Sequence, residues 1–379
     1  KRVSAAGGCS SGTPLPPSVL TLPLADSADL EPYEGMLVAI DGPLTVAQTY
    51  FLGRYGQMTL SAGRRPFQPT HLYPPDRPEA VALATENARR LFVLDDGQEI
   101  RAAGDNPNPV PYLGGPPPAV IRSGDAVTNV VGLFDEGRIN SGFGPGLATG
   151  YRLQPLHSPS FSPVNVRSEP PDVGGALRAA SFNVLNYFNG DGHGGGFPTA
   201  RGATTASEFL RQRSKIIAAI RALDADVVGL MEIENDGYGP DSAIRNLVYG
   251  LNAGAPFSKT YTYVDPHTER LGNDAISVGL LYRPTSLTPV GPPATLDTGA
   301  FDPQLGENGG SRQPLAQTFA DANGERFTVV VNHLKSKRAS GQPGPGDEDT
   351  GNGAGAWNAR RTQAAQELAN WLASGPTGS

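Results

Sequence analysis

Three apolar runs in the second half of the chain each end on a residue able to bind a cation or move a proton. Ala179-Ala180-Ser181-Phe182 leads into Asn183, Val227-Val228-Gly229-Leu230-Met231 into Glu232, and Thr328-Val329-Val330-Val331-Asn332 into His333. A hard divalent cation takes carboxylate and amide oxygens, which Glu232 and Asn183 supply. An imidazole titrates close to neutral pH, so His333 can act as acid or base or steady a developing negative charge. Taken singly, a strand-end Glu is more often an ion-pair residue and a strand-end Asn a turn cap. It is the recurrence at three strand ends that points to a site, because layered α/β proteins assemble their sites at such ends. Lys335 and Lys337, just past the histidine, make either a phosphate-facing patch or a solvated turn. Glu234, Asn235 and Asp236 crowd the same loop as Glu232 and read as solvated loop charge.

The elements that must carry these residues follow an alternating grammar from Ala176 onward. Residues 178–188, 225–235, 276–283 and 326–334 read as strands, the second of them apolar on both faces. Thr205-Ala206-Ser207-Glu208 is a capping box that opens a helix, with Phe209, Leu210, Ile216, Ile217, Ile220 and Leu223 recurring at helical spacing behind it. A helix is expected around 241–252 and another over 355–375. In the latter Trp357, Ala364, Leu368, Trp371 and Leu372 line one face and Gly375-Pro376 stops it. The glycine-rich stretch 191–202 lacks the order of a phosphate-binding loop and reads as a mobile surface loop. Arg360-Arg361 reads as a solubilising pair on the last helix.

The first half differs. Residues 1–17 are small and Pro-rich, a tail or linker. From 18 to 156 short β-segments (34–41, 44–52, 55–61, 90–96, 125–134 and 151–156) alternate with Pro-rich loops of uneven length, which predicts a small barrel. Residues 157–175 carry four prolines and form the expected linker, leaving 176–379 as a second domain.

Composition excludes other classes. Glycine (48) and proline (36) exceed a fifth of the 379 residues, against an ordinary share of about 12%. This argues against coiled coils and helical bundles. No apolar run is long enough for a membrane-spanning helix, and the single cysteine, Cys9, rules out a disulfide scaffold. The net charge of −7 excludes bulk attraction to a polyanion, so any such partner needs a local basic patch or a bound cation. The start at Lys1 without Met reads as a mature or trimmed product, and nothing calls for an obligate protein partner.

Together and in this order, SFNVLNYF, LDADVVGLMEIEN, GNDAISVGLLYRP and VVVNHLKSK resemble the endonuclease/exonuclease/phosphatase superfamily, the group of DNase I-like enzymes. Closer still, the arrangement is similar to its bacterial extracellular nuclease branch (ExeM/NucH-like), in which an OB-fold module precedes the nuclease domain. The resemblance implies an α/β (α+β) chain, an OB-like β-barrel followed by a DNase I-like four-layered α/β-sandwich. It implies a secreted, metal-dependent hydrolase of DNA. Glu232 and Asn183 would sit at a divalent cation, Mg²⁺ in the first place and Mn²⁺ or Ca²⁺ otherwise, and Asn183 also beside the scissile phosphate. His333 would contact the phosphate, Asp274 would orient this histidine, and Lys335 and Lys337 would touch phosphate. On the barrel, Tyr50, Arg54, Tyr55, Arg64 and Arg65 interleave aromatics with arginines as a single-strand surface would, or the aromatics fill the small core.

The resemblance has one departure. The family continues into a GDFNA-like motif and finishes on an Asp-His pair, and neither occurs before Ser379. The chain is therefore expected to be a fragment or a degraded copy, with no base for the attacking water. Two rival readings follow: a phospholipid or sugar-phosphate phosphodiesterase of the same fold, and a non-catalytic nucleic-acid-binding protein.

Overall fold

Gly42-Pro43 breaks one long β-run into Leu37–Ile40 and Leu44–Gln48, because Pro43 has no amide to donate and Gly42 takes a positive φ of 80°. That bend lets a single run serve two neighbours. Leu44–Gln48 pairs antiparallel with Met58–Ala62, which pairs antiparallel with Leu91–Leu94. Leu91–Leu94 lies parallel to Ala148–Pro155, and Ala148–Pro155 antiparallel to Val131–Ile139. Val131–Ile139 returns to Leu37–Ile40. The sheet thus curls until its hydrogen bonding arrives back at the run it left. Val38, Val46, Leu60, Leu94, Phe134 and Leu153 are fully buried inside it. A computed structural model describes residues 16–97, 110–113, 120–139, 148–306 and 309–378. Cys9 and the rest of residues 1–15 lie outside them.

The chain divides after Arg167. The division falls within the Pro-rich stretch 157–175, part of which, Ser160–Ser162, adds an edge strand to Ala126–Thr128 of the first unit. That unit also holds a helix, Pro78–Ala88, where the sequence pattern shows only a Pro-rich loop and its sequel; Pro78 in its first turn and Glu79 start it.

The second unit is built of two sheets and the helices around them. One sheet runs Ala179–Tyr187, Val227–Glu234, Ile276–Tyr282, Thr262–Tyr263, its first pair parallel and the rest antiparallel. The other is the antiparallel set Thr288–Thr295, Arg312–Ala320, Arg326–His333. Val227, Val278, Leu280, Leu315, Phe319 and Val331 fill the space between the sheets. On the outer side of the first sheet, the helices Ala206–Leu223 and Ala243–Asn252 bury Ile216, Ile220 and Leu247 against Val228 and Leu230. The result is a mixed α/β fold of the α+β kind. The last helix, Asn358–Ala373, seats Ala364 on Ala300 and Phe301. Its outer end is more exposed than its spacing predicts, with Leu372 half in solvent. Among the described residues no helix is long and apolar enough to cross a membrane.

The strands Thr288–Thr295 and Arg312–Ala320 were not expected. Four prolines in their sequence hide them, and the first accommodates its pair through an irregular register between Val290 and Ala294.

Candidate functional site

Glu232 stands on a β-bulge. Its neighbours Met231 and Ile233 pair with Asn183 and Tyr187 on one side and with Val278 and Ser277 on the other, and the ladder skips Glu232 itself. Its φ is 65°, a left-handed conformation that a non-glycine residue adopts only where the surroundings enforce it. The opposite strand answers with Leu185 and Asn186 at φ 54° and 50°. A bulge re-aims one side chain out of the strand's alternation. Here it turns Glu232 towards the ends of two other strands.

Asn183 Nδ2 donates to Glu232 Oε1 at 2.8 Å, while its Oδ1 accepts the Leu185 amide at 2.8 Å. His333 Nε2 lies 3.7 Å from the same Glu232 oxygen. The three strand ends therefore meet. Burial first, and then the Arg312 guanidinium, pushes the His333 pKa below its ordinary value, against the opposing pull of Glu232 and Asp274. His333 Nδ1 is buried without a hydrogen-bond partner. A nitrogen so placed is better off bare than protonated, which leaves the imidazole hydrogen on Nε2, facing Glu232.

Asp274 was expected to orient His333, and its oxygens go elsewhere. Oδ1 meets Arg201 NH1 and Oδ2 meets Arg312 NH2, each at 2.8 Å. The physical reason is register: Arg312 stands directly opposite His333 in the antiparallel pair, so the guanidinium reaches the carboxylate and delivers the stronger charge-assisted contact. Asp274 acts on His333 through its field alone. Sequence reasoning missed both arginines. Arg201 lies in the stretch read as a mobile surface loop, and Arg312 in a strand hidden by proline.

The two lysines do not join the site as expected. Lys335 is only 5% exposed, with its ammonium 4.9 Å from the Trp357 ring centre. Lys337 Nζ donates to the Gly353 carbonyl at 3.1 Å. Both organise the loop that follows His333. Arg361, read as a solubilising residue, fastens the same loop by donating to the carbonyls of Lys335, Ser336, Ala354 and Ala356.

The segment after Glu232, read as solvated loop charge, is in part a framework, with Asp236 itself exposed. Asn235 is buried and holds the Leu271, Gly272 and Asp274 carbonyls through Nδ2. Asp236 accepts the Ala243 amide at the start of the helix Ala243–Asn252. Glu234 accepts the Asn189 amide at 3.1 Å. Burial, and after it the charge of Asp236, raises the Glu234 pKa from 4.5 to about 7. The unfolded chain ionises this group at lower pH than the folded one, so its contribution lowers stability as pH rises from 4.5 to about 7 and stays lost above that. In metal-free buffer, Glu234→Gln is expected to remove about 1–2 kcal/mol of that decline, a figure reduced for the half-exposed setting. Denaturant unfolding at pH 5 and pH 7.5 checks this, and an unchanged pH slope would reject it.

The donors at this point are few. Among the described residues no cluster of three or more His, Cys, Asp or Glu side chains forms a metal cage. What exists is one carboxylate, Glu232, held by an amide and partly open to solvent. Mg²⁺ binds through one or two carboxylates and keeps its waters, whereas Ca²⁺ wants six to eight oxygens. Asn183 has its oxygen on the Leu185 amide, so its place is to fix Glu232 more than to ligate.

In the first unit, Tyr50 is 82% and Phe67 44% exposed. Arg64 lies over the Phe67 ring at 5.3 Å, and Arg65 Nε donates to the Ala47 carbonyl at 3.0 Å. Tyr55 is half-buried against Phe51. The Arg54 side chain lies outside what the structure describes.

No family model matches the chain, and no curated protein does. Four solved chains match, one of them the crystal structure of ANGEL2, a 2',3'-cyclic phosphatase, at 20% identity with a TM-score of 0.23. That match covers 32% of this chain and 30% of ANGEL2. The functional reading therefore stands on the chain's own geometry.

Proposed function

We propose that the second unit is a phosphoester hydrolase, and in particular a divalent-cation-dependent phosphodiesterase acting on DNA. The observation that carries the reading is the convergence of Asn183, His333 and Glu232 on one carboxylate oxygen, from three strands in two sheets. Glu232 would hold the cation and Asn183 the orientation of Glu232. A bound cation would supply positive charge to a phosphate oxygen. His333, kept neutral near pH 7, offers its Nε2 hydrogen to a second phosphate oxygen, where charge grows in the transition state. Arg312, across the ladder from His333, adds fixed positive charge beside it.

Two features support nucleic acid as the substrate. The parallel Leu91–Leu94 and Ala148–Pro155 pair within a sheet that returns on itself fits an OB-like barrel. Exposed Tyr50 and Phe67 beside Arg64 suit stacking of single-stranded bases. An extracellular location belongs to the same proposal, and recovery of the protein from culture medium checks it. The deciding experiment is an assay of the complete natural protein, which must also supply the base for the attacking water, with DNA, sphingomyelin and a sugar phosphate, each with Mg²⁺, Mn²⁺ or Ca²⁺ and again with chelator. Cleavage of DNA that chelator abolishes is expected. Turnover of sphingomyelin or sugar phosphate alone, or DNA binding without cleavage under every cation, would overturn the reading.

A further inference from the structure

Opposite Glu232, the strand Ala179–Tyr187 carries three residues where its neighbour carries one. Asn183 pairs with Met231 and Tyr187 with Ile233, so Val184, Leu185 and Asn186 share the interval that Glu232 occupies alone. Val184 turns inward and is buried with Phe209 and Ile216. Leu185 is left 70% exposed, and its φ of 54° is followed by 50° at Asn186. A left-handed leucine is disfavoured here on two counts. Its Cβ crowds the backbone, and a side chain lying mostly in water gains little packing in return. Glycine or asparagine would hold the same backbone at lower cost.

The strained pair is held from three sides. The Leu185 amide donates to Asn183 Oδ1 at 2.8 Å. Gln212, on the helix Ala206–Leu223, donates through Nε2 to the Val184 carbonyl at 3.1 Å and the Leu185 carbonyl at 2.7 Å. Gly202 comes so close to Asn186 that a Cβ there would meet its carbonyl oxygen at 2.6 Å. Each of these contacts fixes backbone and leaves the leucine side chain in solvent. Single exposed apolar residues are ordinary on a surface. A strained one is not, and strain of this kind gathers at functional sites. This one lies across the ladder from Glu232, and its amide fixes Asn183, whose Nδ2 reaches the Glu232 carboxylate.

We propose that Leu185 is a substrate-contact residue, its side chain packing on the sugar and base of the nucleotide whose phosphate lies at Glu232 and His333. This rests on the phosphodiesterase reading and narrows it to diesters that carry a nucleoside beside the phosphate. Leucine has neither donor nor acceptor, so it meets the apolar surface of a nucleoside and does not read the edge of the base, as apolar wedges do elsewhere. Gln212 is the residue that keeps the leucine in place.

The test needs binding and melting only. The probes are end-labelled hexathymidylate and a hexamer of the same phosphate backbone with every base removed, titrated against the full chain in chelator and followed by fluorescence anisotropy. Leu185→Asn is expected to weaken hexathymidylate binding about fivefold, the effect of one lost apolar contact, and to leave the base-free probe unchanged. Leu185→Met, which keeps the apolar surface, should bind both probes as the wild type does. Thermal unfolding separates this from a structural role. Asparagine tolerates the left-handed backbone, so Leu185→Asn should melt no lower than the wild type. Unchanged hexathymidylate binding in Leu185→Asn, an equal loss for both probes, a loss in Leu185→Met as large as in Leu185→Asn, or a lowered melting temperature in Leu185→Asn would overturn the proposal. Failure of the underlying reading is seen separately, as DNA hydrolysis by the complete natural protein that survives removal of the Glu232 carboxylate.

Discussion

In the complete natural protein, Glu232→Gln is expected to cut DNA hydrolysis by about a thousandfold or more at saturating Mg²⁺, with the fold intact. The substitution is nearly isosteric. A glutamine oxygen still accepts from Asn183 Nδ2, the contact now at 2.8 Å, so the bulge and its left-handed residue keep their side-chain anchor. What is lost is the negative charge, and with it the only carboxylate within reach of both Asn183 and His333 among the described contacts. His333 responds as well. Glu232 is one of the two groups that pull its pKa upward, so the variant holds the imidazole neutral over a wider range. The lost rate therefore cannot be blamed on a protonated histidine. Initial rates against Mg²⁺ concentration, alongside thermal unfolding, check the prediction. A variant that cuts at the wild-type rate removes the cation from Glu232 and the proposal with it.

The strand ends were legible because a buried strand writes its period plainly. Val227 to Met231 is apolar on both faces, and the first charged residue after it marks the mouth of the sheet. The helix at Thr205 was legible because its cap is local: Thr205 does accept the Glu208 amide, and the Glu208 carboxylate turns back to Thr204. The bulge at Glu232 was not legible. Left-handed backbone is announced by glycine or asparagine, and here the enforcing agent is the mismatch with a distant strand. Arg201 and Arg312 were hidden for a related reason. Their meaning lies in a carboxylate that neither approaches in sequence, and one sits among glycines and the other beside proline, where local pattern speaks of loops. Asp274 shows the converse: its importance was legible and its partners were not, because ion pairing is decided by register across strands.

That shared carboxylate yields the second large effect. Asp274→Asn is expected to destabilise the second unit by about 2 kcal/mol, less than for a fully buried pair because all three side chains keep some solvent. The amide holds shape but takes from Arg201 and Arg312, each now at 2.8 Å from one of its oxygens, the negative charge that they share. Repulsion then adds to the lost attraction. Arg312 Nε is already buried without a partner, so this arginine has little freedom to relieve the strain by turning. It follows that removing one of the two cations should restore part of the loss. Asp274→Asn combined with Arg201→Gln is expected to be more stable than Asp274→Asn alone by about 0.5–1 kcal/mol, a coupling that a double-mutant cycle in denaturant isolates. If the double variant is instead less stable by the sum of the two single effects, the arginines do not repel across Asp274, and the carboxylate is an ordinary turn residue.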